Sequence, residues 1–434
     1  MQYQNTVEGR FVDRPNRFIA HVKLGDQVET VHVKNTGRCR ELLVPGARVI
    51  LEHCGRQDRK TAYDLVAVEK PGPGLINIDS QAPNKAVGEW LARQGYDRVR
   101  PEFSFGGSRI DFCMEKGSQK YLLEVKGCTL EIGGQGYFPD APTARGAKHL
   151  QELTAAVKQG WKACLAFVIQ MEGIWEVFPY GKTDPDFEAA FYEAIEAGVE
   201  ILYLPCQVTE DSMTIKEPVY LYRSRQGLFL TDGRLTLQGN LHNMLARVNK
   251  GRLAHEMLAR AAKRKESPDG VEAKLPLAVD CTAGLGEDAF LLAAAGYRVL
   301  LYEKNPVISA LLADALRRAR EDPELTEIAG RMETIRGDSI EGLEALQEKP
   351  DLIYLDPMFP AREKSGMIKK KFQLLQQLEE PCSQEEALLS AAISADPAKI
   401  IIKRPAKGPL LGGRKPSYFI KGESIRYDVL VLRT

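Results

Sequence analysis

Over the first 75 residues, apolar and polar positions alternate with a period of two. The runs are Phe18–Val22, Val28–Val33, Ala47–Leu51 and Tyr63–Val68. Glycine and proline punctuate them, which predicts a small β-barrel or meander. Lys70-Pro-Gly-Pro-Gly74 closes this segment as a linker. From residue 76 the pattern is mixed. It predicts a helix over Asn84–Gln94, strands at Ser108–Met114 and Tyr121–Val125, and a helix over Thr143–Gln159. A buried strand at Ala163–Ile169, a helix over Asp184–Ala197 and strands at Glu200–Leu204 and near Met213 follow. After Pro276 the pattern becomes a regular β-α alternation, with strands at Leu277–Cys281, Arg298–Tyr302, Met332–Arg336, Asp351–Leu355 and Lys399–Lys403. Such alternation predicts a doubly wound, mainly parallel sheet. The boundary between the halves falls between Lys216 and Gly239, so three domains are expected, over residues 1–75, 76–221 and 222–434.

Composition narrows the class. The 434 residues are 44% apolar and 27% charged, as in an ordinary globular protein. No apolar run is long enough for a membrane span, and the opening residues hold no apolar leader segment, so a cytoplasmic protein is expected. Eight scattered cysteines without a C-x-x-C pair fit a reduced protein, not a disulfide or zinc framework. The net charge is zero, so any nucleic-acid binding must come from local patches.

The chemistry of the second half begins at Leu277-Ala-Val-Asp280-Cys-Thr-Ala-Gly284-Leu-Gly286-Glu287-Asp288, an apolar strand running into a glycine-rich turn and a helix. Gly284 and Gly286 let the backbone approach a ligand and take positive φ. Ala289 stands at the third glycine position of a dinucleotide fingerprint, so the turn alone leaves a nicotinamide cofactor open. The next strand ends in Glu303, about 20 residues on, where a carboxylate can accept from ribose hydroxyls. A third strand ends at Asp338-Ser339, where a carboxylate can meet an adenine amine. At the fourth, Leu355-Asp356-Pro357-Met-Phe359-Pro360, Asp356 can hold the N–H groups of an exocyclic base amine and orient its lone pair. Pro357 stiffens that loop, and Phe359 can stack on the base. Lys403 and Arg404 end the next strand and could hold an RNA phosphate.

DCTAGLGEDAF, YEKNP, YLDPMFP and IIKRP together resemble the bacterial small-subunit ribosomal RNA guanine-N2 methyltransferase family called methyltransferase J. The resemblance covers residues 222–434. It implies a Rossmann-like class I fold using S-adenosyl-L-methionine (SAM), acting on 16S ribosomal RNA or the small ribosomal subunit. By position it implies cofactor contacts at Asp280, Glu287, Asp288, Glu303, Lys304, Asp338, Ser339 and Asp356. Adenine-N6 DNA methyltransferases and protein glutamine methyltransferases use related Asp/Asn-Pro clamps and are the rival readings.

In the first half the chemistry lies in Ser108-Arg-Ile-Asp111-Phe and Tyr121-Leu-Leu-Glu124-Val-Lys126. Residues i and i+2 of a strand share a face, so Glu124 and Lys126 point the same way, with Asp111 opposite on a hairpin. Two carboxylates form a hard-oxygen Mg²⁺ site suited to a phosphodiester. Glu89, on the preceding helix, is a further ligand candidate, and Lys126 could orient the attacking water. HVKNTGRCREL, SRIDF, LLEVKGCTL and GYFPDAPTARGAKHLQEL resemble the sugar fermentation stimulation protein A family. That resemblance, over residues 1–221, implies an OB-like barrel joined to a PD-(D/E)XK nuclease-like domain that associates with DNA. Arg145, Lys148 and His149 could then meet a phosphate backbone. A DNA-binding regulatory module that does not cut is the rival. The expected whole is a multidomain α/β fusion.

Overall fold

The computed structural model describes residues 1–434 apart from 36, 56–59, 250, 265–273, 358–369, 376, 379–383 and 434. The chain forms two compact units, Met1–Thr236 and Leu237–Thr434. Among the described residues, no helix is long and apolar enough to cross a membrane.

The first unit opens with an OB-like barrel. Its strands run in the order Gln27–Val33, Ile19–Leu24, Thr6–Asn16, Arg48–His53, Tyr63–Lys70, Gly74–Asn77. Gln27–Val33 returns to pair in parallel with Tyr63–Lys70, His32 opposite Asp64, and this closes the barrel. The longest strand, Thr6–Asn16, was not predicted, because only Gly9 and Phe11 along it are buried. A Cβ at Gly9 would lie 2.5 Å from Val22 Cγ1, so glycine lets the two strands pack.

A mixed sheet follows. Its centre is three parallel strands, Gln119–Cys128, Lys162–Ile169 and Glu200–Val208. The hairpin partners Ser108–Lys116 and Arg98–Phe105 extend it on one side. The helix Ala82–Leu91 covers one face, burying Val87 and Trp90 against Phe112, Leu123 and Val168. The helices Ala144–Lys158 and Pro185–Ala197 pack together. The second sets Phe187 and Phe191 beside Phe167 of the sheet.

The strands Tyr220–Ser224 and Gly227–Thr231 continue this sheet, with Leu202 opposite Tyr222. The compact unit thus runs to Thr236, and a cut at 221/222 would pass through a strand. Pro218, inside the expected boundary region, lies between two strands of the first unit. A Met1–Thr236 fragment is therefore expected to unfold cooperatively. A 1–221 fragment lacks the buried Leu228 and Leu230, about 1.5–3 kcal/mol each, and should melt lower or aggregate. Thermal melts of the two fragments check this.

The second unit is doubly wound. Its sheet runs Met332–Arg336, Arg298–Glu303, Leu277–Asp280, Leu352–Leu355, Lys399–Pro405, Ile425–Val431, Tyr418–Lys421. The first five are parallel and the last two close the edge antiparallel. The helices Glu287–Ala294 and Pro306–Glu321 pack on one face around Phe290, Leu301 and Leu312. Ser339–Glu344 and Glu385–Ser394 pack on the other around Leu343, Ile353 and Leu388. Strand order reverses between Leu277–Asp280 and Leu352–Leu355. In such sheets the crevice at the reversal, outside the carboxyl ends of the strands, is where ligands bind.

Candidate functional site

Three strand ends of the second unit converge on that crevice. Gly284 and Gly286 take φ of 53° and 79°, and Gly286 starts the helix carrying Glu287 and Asp288. Glu303 braces the turn: its Oε2 accepts from Gly284 N at 3.0 Å and its Oε1 from Asn305 N at 2.8 Å. A carboxylate has about four lone-pair sites, so Glu303 retains acceptor capacity. Burial pushes its carboxyl above the ordinary range, against those two amides. Exposed Lys304 follows it. Asp338 caps the next helix through Ile340 N at 2.9 Å, with Ser339 buried behind it.

Asp356 ends the fourth strand, its own N–H held by Thr282 Oγ1 at 2.7 Å, and Pro357 beside it is buried. Its Oδ2 lies 2.9 Å from Lys403 Nζ, which is also 2.7 Å from Asp288 Oδ2. Tyr354 donates its hydroxyl to the same Asp288 oxygen at 2.7 Å. Burial pushes the Asp356 carboxyl up, and the Lys403 charge opposes it. Phe359 lies outside the described residues.

Two expected nucleic-acid contacts are corrected here. Lys403 bridges two carboxylates inside the crevice and does not stand at a free strand terminus. Arg404 is 1% exposed and is spent on Glu385 and the Pro409 carbonyl, so it presents nothing to an RNA phosphate. Asp280 lies beneath the turn, 1% exposed, accepting from Thr282 N at 3.0 Å. Burial pushes its carboxyl up to about 8, helped by the charges of Asp288 and Asp356. The folded state thus favours its protonated form, and its contribution to stability falls as pH rises from the ordinary carboxylate value toward 8. Glu303 and Asp356 act in the same direction. The melting temperature of the Leu237–Thr434 unit is expected to fall between about pH 5 and pH 8, and Asp280→Asn to flatten that fall.

The first unit has a second cluster. Phe112 pairs with Leu123 in the hairpin, which sets Asp111 beside Glu124. Asp111 accepts from Val125 N at 2.8 Å and from Asn84 Nδ2 at 2.7 Å. Glu124 is 2% exposed; its Oε1 accepts from Lys126 Nζ and from His149 Nδ1. Its Oε2 is buried and has no hydrogen-bond partner. Burial works against the Glu124 charge, but His149 and Lys126 outweigh it and hold the carboxyl below its usual range. Burial, and then the nearby Glu124 charge, push Asp111 up.

His149 and Asn84 are the partners that local sequence pattern missed. The ring of His149 is 3% exposed, with Nε2 accepting from Arg145 Nε at 3.2 Å, so it meets Glu124 and faces no phosphate backbone. Arg145 and Lys148 are exposed on the same helix. Glu89 is not brought to the pair. It lies five residues along its helix from Asn84, about 140° around the axis, and binds the Met1 amine at 2.7 Å. Among the described residues, the grouping of three metal-type side chains within ligand reach is His242, Asp322 and Glu324, in the other unit. That trio is accounted for by an ion pair, His242 Nδ1 to Asp322 Oδ2 at 2.9 Å, and by an Asp322 turn to Glu324 N.

Residues 12–78 match the family model of the SfsA N-terminal OB domain, and residues 81–212 that of the sugar fermentation stimulation protein RE domain. Residues 231–432 match the family described as "putative SAM-dependent methyltransferase". A sugar fermentation stimulation protein homolog of Desulfitobacterium hafniense is 50% identical over 216 residues, 49% of this chain and 94% of that one. Its counterpart in Clostridium botulinum is 46% identical over 223 residues, 50% of this chain and 96% of that one. Among solved structures, SfsA of Pyrococcus furiosus in complex with Ca²⁺ is 28% identical, covering 50% of this chain and 95% of its own, with a TM-score of 0.45. A SAM-dependent methyltransferase of Neisseria gonorrhoeae is 27% identical, covering 52% of this chain and 86% of its own, with a TM-score of 0.40. Through its first half, then, the chain belongs to the sugar fermentation stimulation protein family, and its second half is a SAM-dependent methyltransferase domain joined to it.

Proposed function

We propose that the Leu237–Thr434 unit methylates the N2 amine of a guanine in small-subunit ribosomal RNA. In the same reading, the Met1–Thr236 unit is a nuclease-like, nucleic-acid-binding module, and both act in the cytoplasm. One observation carries the first part: Asp356-Pro357 ends the strand at the reversal of sheet order, beside the turn that Glu303 braces. Bound SAM would supply an electrophilic methyl group on a sulfonium, a cation. The crevice suits a cation, because among the described residues Asp288 and Asp356 share one ammonium, Lys403. Glu303 would take ribose hydroxyls with its remaining lone pairs, and Asp338 with Ser339 would meet the adenine. Gly284 and Gly286 would leave room for the rest.

Asp356 would accept an N–H of the guanine N2, turning the lone pair toward the methyl carbon. The amine is a poor nucleophile because that lone pair is delocalised, so orienting it lowers the barrier most in the transition state. Asp356 would also be the adjacent acceptor for the proton that N2 gives up on taking the methyl group, which bound SAM would release from its sulfonium as it became a neutral thioether. The choice of guanine N2 rests on the motif resemblance around YLDPMFP. Labelled cofactor offered with unmodified small subunits, duplex DNA and release factor tests it. Label is expected in ribosomal RNA; label in DNA adenine or in glutamine would replace this reading.

In the first unit, the orphaned Glu124 Oε2 beside the Asp111 carboxylate fits a divalent cation such as Mg²⁺. Asp111 and Glu124 would hold the ion, and Lys126 would offset charge on a phosphodiester without touching it. Mg²⁺ or Mn²⁺ is expected to raise the melting temperature of the Met1–Thr236 fragment, and Asp111→Asn to erase the rise. No rise in the parent would mean that the carboxylates are structural. A rise without cleavage of any nucleic acid would make the module a binder only.

A further inference from the structure

Beside the Asp111–Glu124 cluster, the first unit contains a cavity of about 800 Å³ between the barrel and the mixed sheet. Its charged lining is Arg14, Arg17, Arg38 and Arg40 against the single acid Asp140. The four arginines divide the work. Arg14 is a strut, donating to the carbonyls of Arg17, Asn35, Gly37 and Arg38 and so tying the turn that carries Arg17 to the segment that carries Arg38 and Arg40. Arg17, Arg38 and Arg40 are exposed at the cavity wall. The loop is held close against the sheet domain: a Cβ at Gly37 would lie 2.4 Å from Asp140 Oδ2. Next to Arg17 in the chain, Phe18 is 50% exposed, with the Arg17 guanidinium 5.8 Å from its ring centre.

The other wall shares its elements with the carboxylate cluster. Gly127 lines the cavity and follows Lys126; Pro83 lines it and precedes Asn84, which holds Asp111. Thr143 lines it and caps the helix that carries Arg145 and His149. A basic groove with an exposed aromatic next to one of its arginines suits a single strand, by phosphate neutralisation and base stacking. The volume is that of a pocket for a drug-sized molecule. It admits a few nucleotides of one strand and is too small for a duplex, whose major groove alone is about 12 Å wide.

We propose that this arginine-lined cavity binds the sugar–phosphate backbone of a single-stranded nucleic-acid segment that flanks the Asp111–Glu124 site. The inference extends the reading of this unit as a nucleic-acid module, and it does not require that the carboxylates bind metal. The full chain, in chelator, is titrated with fluorescent 12-nucleotide DNA and RNA strands, the matching DNA duplex and a mononucleotide. Arg38→Glu/Arg40→Glu is compared with the parent, with Arg17→Glu as a second variant and, as a control, Arg225→Glu in the exposed hairpin turn at the far end of the sheet. Tenfold or greater weakening of strand binding by the double variant is expected. The slope of log affinity against log salt should shrink by about 1.4 for two lost phosphate contacts. Arg225→Glu should bind like the parent. Loss on the DNA strand, the RNA strand or both supports the proposal, and the ratio identifies the sugar it prefers. Unchanged affinity in both arginine variants overturns it, as does a duplex or a mononucleotide bound as tightly as the strand. Failure of the Mg²⁺ melting test alone would remove the metal and leave the groove.

Discussion

Asp356→Ala is expected to lower kcat for methyl transfer by about 10²–10³-fold, with SAM affinity weakened at most moderately. The side chain ends a buried strand, its amide is fixed by Thr282, and its carboxylate projects into the crevice at the sheet reversal. An interaction with the target amine that strengthens as the lone pair is committed appears in kcat and not in ground-state binding. Asp356→Asn keeps a carbonyl acceptor and should retain more activity than alanine. Calorimetric titration with SAM, paired with turnover, separates the two contributions. An alanine variant with near-parental turnover would remove Asp356 from the amine-holding role.

The second large effect is expected at Lys403. Its ammonium is shared by Asp288 and Asp356, and its side chain is 24% exposed. Attraction to both carboxylates outweighs desolvation and raises its pKa, so it stays charged across the working range. Lys403→Met leaves those carboxylates facing each other in a crevice that already buries Asp280. Breaking such a pair costs on the order of 3 kcal/mol, because the abandoned charges stay desolvated. Denaturant unfolding of the Leu237–Thr434 unit should show that loss, and SAM should restore part of it by supplying a cation. A variant of parental stability that binds RNA weakly would return Lys403 to the phosphate-holding role.

What the sequence disclosed and what it hid follow from range. Glu124 and Lys126 share a strand face two residues apart, Glu303 and Asp356 each end an apolar run, and Asp338 follows a strand of mixed apolar and polar residues. Those placements are local and could be read from periodicity. The partners could not. His149 reaches Glu124 across 25 residues and Asn84 reaches Asp111 across 27, from helices whose docking angle no local pattern encodes. Lys403 looks like a solvated strand terminus until Asp288, 115 residues earlier, is folded against it. Arg404 reads the same way, and only burial beneath Glu385 and the Pro409 carbonyl shows it to be structural. Glu89 belongs to the right helix but the wrong side of it, a distinction that hangs on which turn of Ala82–Leu91 meets the sheet. Within the Lys216–Gly239 boundary region the first unit runs on to Thr236, because Tyr222 and Phe229 stack at 5.0 Å on strands that complete its sheet.

The most direct test of the account is nucleoside analysis of ribosomal RNA from cells lacking this protein. The account predicts that one N2-methylguanosine disappears from small-subunit ribosomal RNA. It returns with the parent protein and with Asp111→Asn, but not with Asp356→Ala. Unchanged N2-methylguanosine, or a loss confined to another base or to protein glutamine, would contradict it.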